Sequence, residues 1–173
     1  SAIAGAAAGT GAILEAHGVR NLRLEALTLR DAPRGIVLDR TDAVVTGCEL
    51  VRTDLALDSV DSRVSVRGTR IHDGRAAIDA RRSRIDVSFS TIDGIDDTGI
   101  AASEFSDVVL FRTPVVSDSL SVERSSLLVV MSELDGAVHA RTYSHVSFAG
   151  SAREPSILRG AIFASNSEVH VFH

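Results

Sequence analysis

The feature that most constrains this chain is a repeat. The segments SRVSVRGTRI (62–71) and SRIDVSFSTI (83–92) lie 21 residues apart and agree at Ser, Arg, Val/Ile, Val, Ser/Thr and Ile. The frame extends both ways. Its first apolar position falls at Leu22, Ala43, Val64, Ile85, Val108, Leu127, Val146 and Val169, at intervals of 21, 21, 21, 23, 19, 19 and 23 residues. A second apolar residue follows two later, from Leu24 to Val171, and a third five further on, at Leu29, Leu50, Ile71, Ile92, Val115 and Leu134. Another pair precedes each unit, as in Ile36/Leu38, Ile78/Ala80 and Ile162/Ala164. Apolar pairs of period two are strand signals, and no window sustains a helical period. Strands this short cannot bury an apolar face within one repeat, so successive repeats must stack and bury it together. The pattern predicts an all-β, single-stranded parallel β-helix of about seven to eight coils of 19–23 residues. Each coil is expected to carry about three strands, and the hand to be right, as in almost all parallel crossovers.

Outward residues of stacked coils must tolerate one another, which tests the frame independently. Two positions before the strand start stand Thr41, Ser62, Ser83, Ser106, Ser125, Ser144 and Ser167, each a hydroxyl able to bond backbone at a turn or its neighbour in the stack. A second column, Arg40, Asp61, Arg82, Glu104 and Arg124, alternates in sign, and a third holds Asp54, Arg75 and Asp97. Opposite charges side by side in a sheet stabilise it and like charges do not.

Composition narrows the partners. The chain has no Trp, Lys or Gln, so all 18 basic residues are Arg, and the formal charge is -5. Acidity and scarce aromatics argue against a nucleic-acid surface. The lone Cys48 rules out an internal disulfide and a Cys-rich metal site. No run of 18 apolar residues marks a membrane span. Residues 1–11 read as an Ala/Gly-rich leader or partial cap, and 12–173 as the β-helix, expected to be one part of a longer protein.

The repeat resembles that of the pectate-lyase-like superfamily of right-handed parallel β-helices, over roughly residues 12–173. That superfamily includes lyases, hydrolases and epimerases, and also adhesins and non-catalytic carbohydrate-binding or assembly domains. The segment DDTGIAAS (96–103) is similar to the Asp-Asp doublet of polygalacturonases, and one coil earlier GRAAIDA (74–80) matches the end of a second motif at Ile78 and Asp79. The resemblance thus implies Asp79, Asp96 and Asp97 as catalytic carboxylates. The match is incomplete: Ala76 stands where a carboxylate belongs, the expected His-Gly pair is replaced by DSLSVERS, and the Arg-x-Lys element has no Lys. Inverting hydrolysis needs an acid and a base held apart across the glycosidic bond. Arg75, beside Asp97 in the third column, favours a salt link there instead.

Pectate lyases of the superfamily use Ca²⁺, a hard cation that takes six to eight oxygens. Asp93, Asp96, Asp97 and Asp118 would supply four, but Asp is also what turns require, so no cofactor is expected. His72 precedes Asp73 and is placed to be oriented by it; His139, His145, His170 and His173 show no metal spacing such as two histidines four apart on a helix, so no metal site is expected. Arg81, Arg82 and Arg84, with Arg75, are the candidate ligand-binding residues, since guanidinium groups fork the carboxylates of an acidic polysaccharide.

The expected function is a non-catalytic binding or scaffold domain of an extracytoplasmic protein, secreted, periplasmic or at the cell surface. It would contact a polysaccharide or a protein along its side, or stack on copies or flanking domains. The alternative is a hydrolase, lyase or epimerase acting on acidic glycans through Asp79, Asp96 and Asp97. The frame makes its own test. Val87 should face the core, so Val87→Asp, by burying an unpaired charge at a cost of several kcal/mol, should abolish the cooperative thermal transition; unchanged melting would put the strand frame off by one.

Overall fold

In the computed structural model of the chain, residues 11–172 are described, and among them there is no helix. Strands alternate between two sets. The first comprises β1 (Ala12–His17), β3 (Thr28–Asp39), β5 (Glu49–Val60), β7 (Arg70–Arg81), β9 (Thr91–Ser103), β11 (Val115–Glu123), β13 (Glu133–Arg141), β15 (Ile157–Arg159) and β16 (Ile162–Ser165). The second comprises the shorter β2 (Leu22–Glu25), β4 (Asp42–Thr46), β6 (Arg63–Arg67), β8 (Arg84–Ser88), β10 (Asp107–Phe111), β12 (Ser126–Val130), β14 (His145–Ala149) and β17 (Glu168–Phe172). Each set forms one parallel sheet whose strands stack in coil order, giving a β-solenoid of about 8 turns.

The register is that of the apolar frame. Val64 pairs with Ile85, Ile85 with Val108 and Val108 with Leu127; on the other sheet Leu57 pairs with Ile78 and Ile78 with Ile100. These side chains form one continuous core along the axis, in which Ile85, Val108, Leu127 and Ile100 are fully buried. Each such side chain contributes roughly 1.5–3 kcal/mol by leaving water. The expected three strands per coil appear as two up to β13, because one long strand runs through the bend, where its pairing is skipped or shifted. One residue in the left-handed region makes the bend: Asp31, Arg52, Asp73 and Gly94 in successive coils, with φ of 58, 50, 54 and 61°.

Two further corners close each coil, also on left-handed residues. The second corner, from the long strand to the short one, uses Arg40, Asp61, Arg82 and Arg124 singly, and the pairs Glu104–Phe105 and Thr142–Tyr143. The third, from short strand to long, uses Ala26, Gly47, Gly68, Phe89, Arg112 and Met131. Left-handed conformation is costly for a residue with a Cβ. Here it lets the corner amide continue the ladder: Arg40 N–H donates to the Val60 carbonyl at 3.0 Å and Asp61 N–H to that of Arg81 at 3.0 Å.

Immediately after the second corner comes the predicted hydroxyl column, and it is buried from Thr41 to Ser144. Its members do not chiefly pair with each other. The hydroxyls of Ser62, Ser83, Ser106, Ser125 and Ser167 each accept the backbone N–H of their counterpart one coil earlier and donate to a carbonyl of their own corner. Thr41 N–H donates to Ser62 Oγ at 2.9 Å, Ser62 N–H to Ser83 Oγ at 3.1 Å and Ser83 N–H to Ser106 Oγ at 3.1 Å. Ser62 Oγ in turn donates to the Val60 carbonyl at 2.7 Å and Ser83 Oγ to that of Arg81 at 2.9 Å. A second column, not anticipated from the sequence, does the same after the third corner. Cys48 N–H donates to Thr69 Oγ1, Thr69 N–H to Ser90 Oγ, Ser90 N–H to Thr113 Oγ1 and Thr113 N–H to Ser132 Oγ, at 3.3, 3.2, 3.4 and 2.9 Å.

Ser83→Ala should therefore cost about 1–3 kcal/mol, because it leaves the buried Ser62 N–H without an acceptor. Urea unfolding should show a lower midpoint with unchanged slope; an unchanged midpoint would mean that water replaces the hydroxyl at no cost.

Candidate functional site

The four arginines singled out from the sequence stand in three places. Arg75 lies just past the first corner, in a depression of about 540 Å³ that it shares with Arg52, Asp54, Asp73, Asp96 and Asp97. Asp96 and Asp97 form a bulge: Gly74 pairs with Ile95 and Ala76 with Thr98, so two residues of β9 face Arg75. The floor is close-packed backbone, and a Cβ added at Gly74 would sit 2.5 Å from the Thr53 carbonyl oxygen. Arg75 Nη1 reaches Asp97 Oδ2 only at 4.0 Å, both side chains being largely exposed. A second pair at this corner escaped sequence reasoning: Arg52 forks Asp31 at 2.7 and 3.1 Å. It holds the Asp31 carboxyl below its ordinary pKa, chiefly through that hydrogen bond.

Asp79 is elsewhere. It sits four residues beyond Arg75 on β7, cross-strand from Asp58. Asp58 is almost wholly buried and is bridged by Arg34 at 3.4 Å and Arg81 at 2.8 Å. Arg81 Nε lies 3.8 Å from Asp79, beyond hydrogen-bond range, and is buried without a hydrogen-bond partner. Desolvation is the main reason that the Asp79 carboxyl is raised above its ordinary pKa; Arg81 opposes the shift and Asp58 adds to it. The structure thus brings Asp96, Asp97 and Arg75 together and places Asp79 in a separate cluster with Asp58, Arg34 and Arg81.

The calcium candidates do not converge. Asp93 pairs with Arg70 at 2.9 Å, and among the described residues no three of Asp93, Asp96, Asp97 and Asp118 gather within ligand distance of one another. His72 is held as expected by Asp73, at 2.8 Å, and also by Glu49, at 3.1 Å.

Arg82 and Arg84 belong to the second corner, along which a row of depressions runs. Corner residues form one wall and the first residues of the short strands, Arg63, Arg84, Asp107, Ser126, His145 and Glu168, form the other. Between them run three consecutive depressions of about 450, 400 and 440 Å³. Phe105 is shared by the first two, and Tyr143 and His145 by the second and third. The result is a groove parallel to the solenoid axis, with an aromatic ring at each junction. Phe105 is 79% exposed and Tyr143 85%. Both are the second residues of two-residue corners, and this extra residue lifts each ring off the surface. Arg82 bridges Asp61, at 2.8 Å, and Glu104, as the alternating column predicts, and holds Asp61 below its ordinary pKa. Arg84 pairs with Asp86 at 3.5 Å. Among the described residues Arg63 and Arg124 carry no ion pair, so their guanidinium groups remain available in the groove.

Sequence reasoning did not single out Phe105 or Tyr143. The signal was present: each follows an extra corner residue, before Ser106 and Ser144 of the hydroxyl column. Comparison with models of known families, with curated proteins and with solved structures finds no match.

The Asp79 cluster yields a pH test. A carboxyl whose pKa rises on folding disfavours the fold while ionised, and this penalty vanishes as pH falls through the folded pKa to below the unfolded one. Asp79→Asn should thus stabilise the protein at neutral pH, and the gain should shrink as pH falls to roughly 3.5. Urea midpoints measured across that range check it; a loss of stability at neutral pH would show that the Arg81 contact outweighs desolvation.

Proposed function

We propose that the chain is a non-catalytic binding module whose axial groove holds an extended polysaccharide. The observation that carries this reading is the row of three depressions punctuated by Phe105 and Tyr143. Exposed aromatic rings gain nothing for stability in water, and a polar-rimmed apolar patch marks a contact surface. The faces of pyranose rings are apolar and stack on aromatic side chains, while their hydroxyls bond groups such as Arg124, Asp107 and Ser126 along the walls. The two rings stand two coils apart, about 9.6 Å by the inter-strand spacing, which matches the length of a disaccharide unit. A continuous groove suits a linear polymer, and Arg63 and Arg124 offer donors to uronate carboxylates.

A second reading has one observation in its favour, the desolvated Asp79, since shifted carboxyls mark acid–base sites. It makes the protein a hydrolase, lyase or epimerase on acidic glycans centred on Asp79, Asp96 and Asp97. Kinship with the pectate-lyase-like superfamily and an extracytoplasmic setting belong with either reading, and both rest on the repeat and the surface chemistry. Protein partners or neighbouring copies remain the natural occupants of the exposed apolar side chains of the last coil, among them Phe163, Val171 and Phe172.

A glycan array followed by calorimetry on each hit tests the first reading. Phe105→Ala and Tyr143→Ala should each weaken binding of a bound polymer about two- to tenfold, the loss expected from one aromatic stack, with unchanged melting. Binding unaffected by both changes, or no glycan bound at all, would sink the groove. Cleavage of a uronate polymer that is lost in Asp79→Asn would replace it with the second reading.

A further inference from the structure

At the far end of the groove three side chains come together that the sequence keeps apart. β14 and β17 are adjacent parallel strands in which His145 pairs with Glu168 and Ser147 with His170. His145 and Glu168 are thus rung neighbours, about 4.8 Å apart along the axis, and His170 lies two residues on from Glu168 with its side chain on the same face. His145 Nδ1 is 3.4 Å from Glu168 Oε2, and His170 Nε2 is 3.4 Å from the same oxygen. One donor atom from each of the three residues lies within 4.8 Å of the others.

We propose that His145, Glu168 and His170 form a binding site for a divalent transition ion of the Zn²⁺ class, a site independent of the glycan reading. Four-coordinate zinc holds nitrogen and oxygen ligands at about 2.0–2.1 Å, so neighbouring ligand atoms in a tetrahedral shell stand about 3.3–3.4 Å apart. Two of the three ligand–ligand edges already have that length, and closing the third needs only a side-chain rotation on an exposed surface. The donor set of two imidazoles and a carboxylate suits Zn²⁺ and its neighbours rather than Ca²⁺ or Mg²⁺, which take oxygen shells.

The surroundings orient the ligands. His145 Nε2 lies 2.9 Å from the Oγ of the buried Ser147. With an ion on Nδ1, Nε2 carries the proton and donates it to Ser147, as the second ring nitrogen of a metal-bound histidine usually does. The His170 ring lies nearly parallel to that of Phe172, with centroids 5.9 Å apart and planes 5° from parallel. Three protein ligands leave one position open, and two of the three, His145 and Glu168, also line the depression beside Tyr143.

Isothermal titration of the chelator-stripped protein with ZnCl₂ at neutral pH tests the proposal. Saturable binding of one ion is expected, with a rise in melting temperature that EDTA reverses, and with Co²⁺ an intense visible absorption of the tetrahedral type. Ca²⁺ and Mg²⁺ should produce neither. His145→Ala, His170→Ala and Glu168→Gln should each lower the affinity at least about tenfold, and Ser147→Ala, which removes only the orienting bond, by about 10–100-fold. All three ligands are exposed, so these variants should melt as the parent does without metal. No saturation at millimolar Zn²⁺, or binding retained in the double variant His145→Ala/His170→Ala, would overturn it and leave an ordinary pair of His–Glu contacts.

Discussion

In most coils the N–H groups just past two corners point along the solenoid axis, and a hydroxyl from the next coil receives them. This is the interaction on which the architecture depends. A buried backbone amide without a partner costs as much as a hydrogen bond lost outright, and the strand ladders on either side cannot supply one there. The Oγ atoms of Ser62, Ser83 and Ser106 at one corner, and of Ser90, Ser132 and the Thr residues 69 and 113 at the other, serve both coils at once. They fix coil stacking at two points flanking each short strand. Register is thereby set even where outward faces are polar and the pleat alone would specify it weakly.

The frame of the fold was legible because burial is one-dimensional here. Every inward position repeats at nearly constant interval, so Ile85, Val108 and Leu127 announce their stacking directly. The alternating column was legible for the same reason, and Arg82 does bridge Asp61 and Glu104. The second hydroxyl column was obscured because it begins with Cys48, whose thiol replaces the hydroxyl, and because Ser156 follows an irregular coil.

Side-chain partnerships were harder to see. Arg81 looked like part of a basic cluster, yet it turns back one coil to the buried Asp58. Asp79 resembles a companion of Asp97 in the sequence, but Asp79 pairs with Ala101, four residues beyond Asp97 along the strand, and this offset puts the two in different surroundings. The His145–Glu168–His170 group is hidden in the sequence because His145 adjoins the other two across coils and not along the chain. In a solenoid the relevant neighbour is one coil away: His145 and Glu168 each precede the same frame position, at Val146 and Val169.

The two-residue corners also separate two kinds of change. Ser103, Glu123, Arg141 and Ser165 remain in register before the second corner, and Asp107, Ser126, His145 and Glu168 remain in register after it, although Glu104–Phe105 and Thr142–Tyr143 each contain one residue more than their neighbours. An insertion at this corner is absorbed locally and leaves the core untouched. The solenoid can therefore acquire or discard a projecting ring by gaining or losing a single codon, so that the surface of the groove can diversify while the interior stays under the separate and stricter selection imposed by stacking.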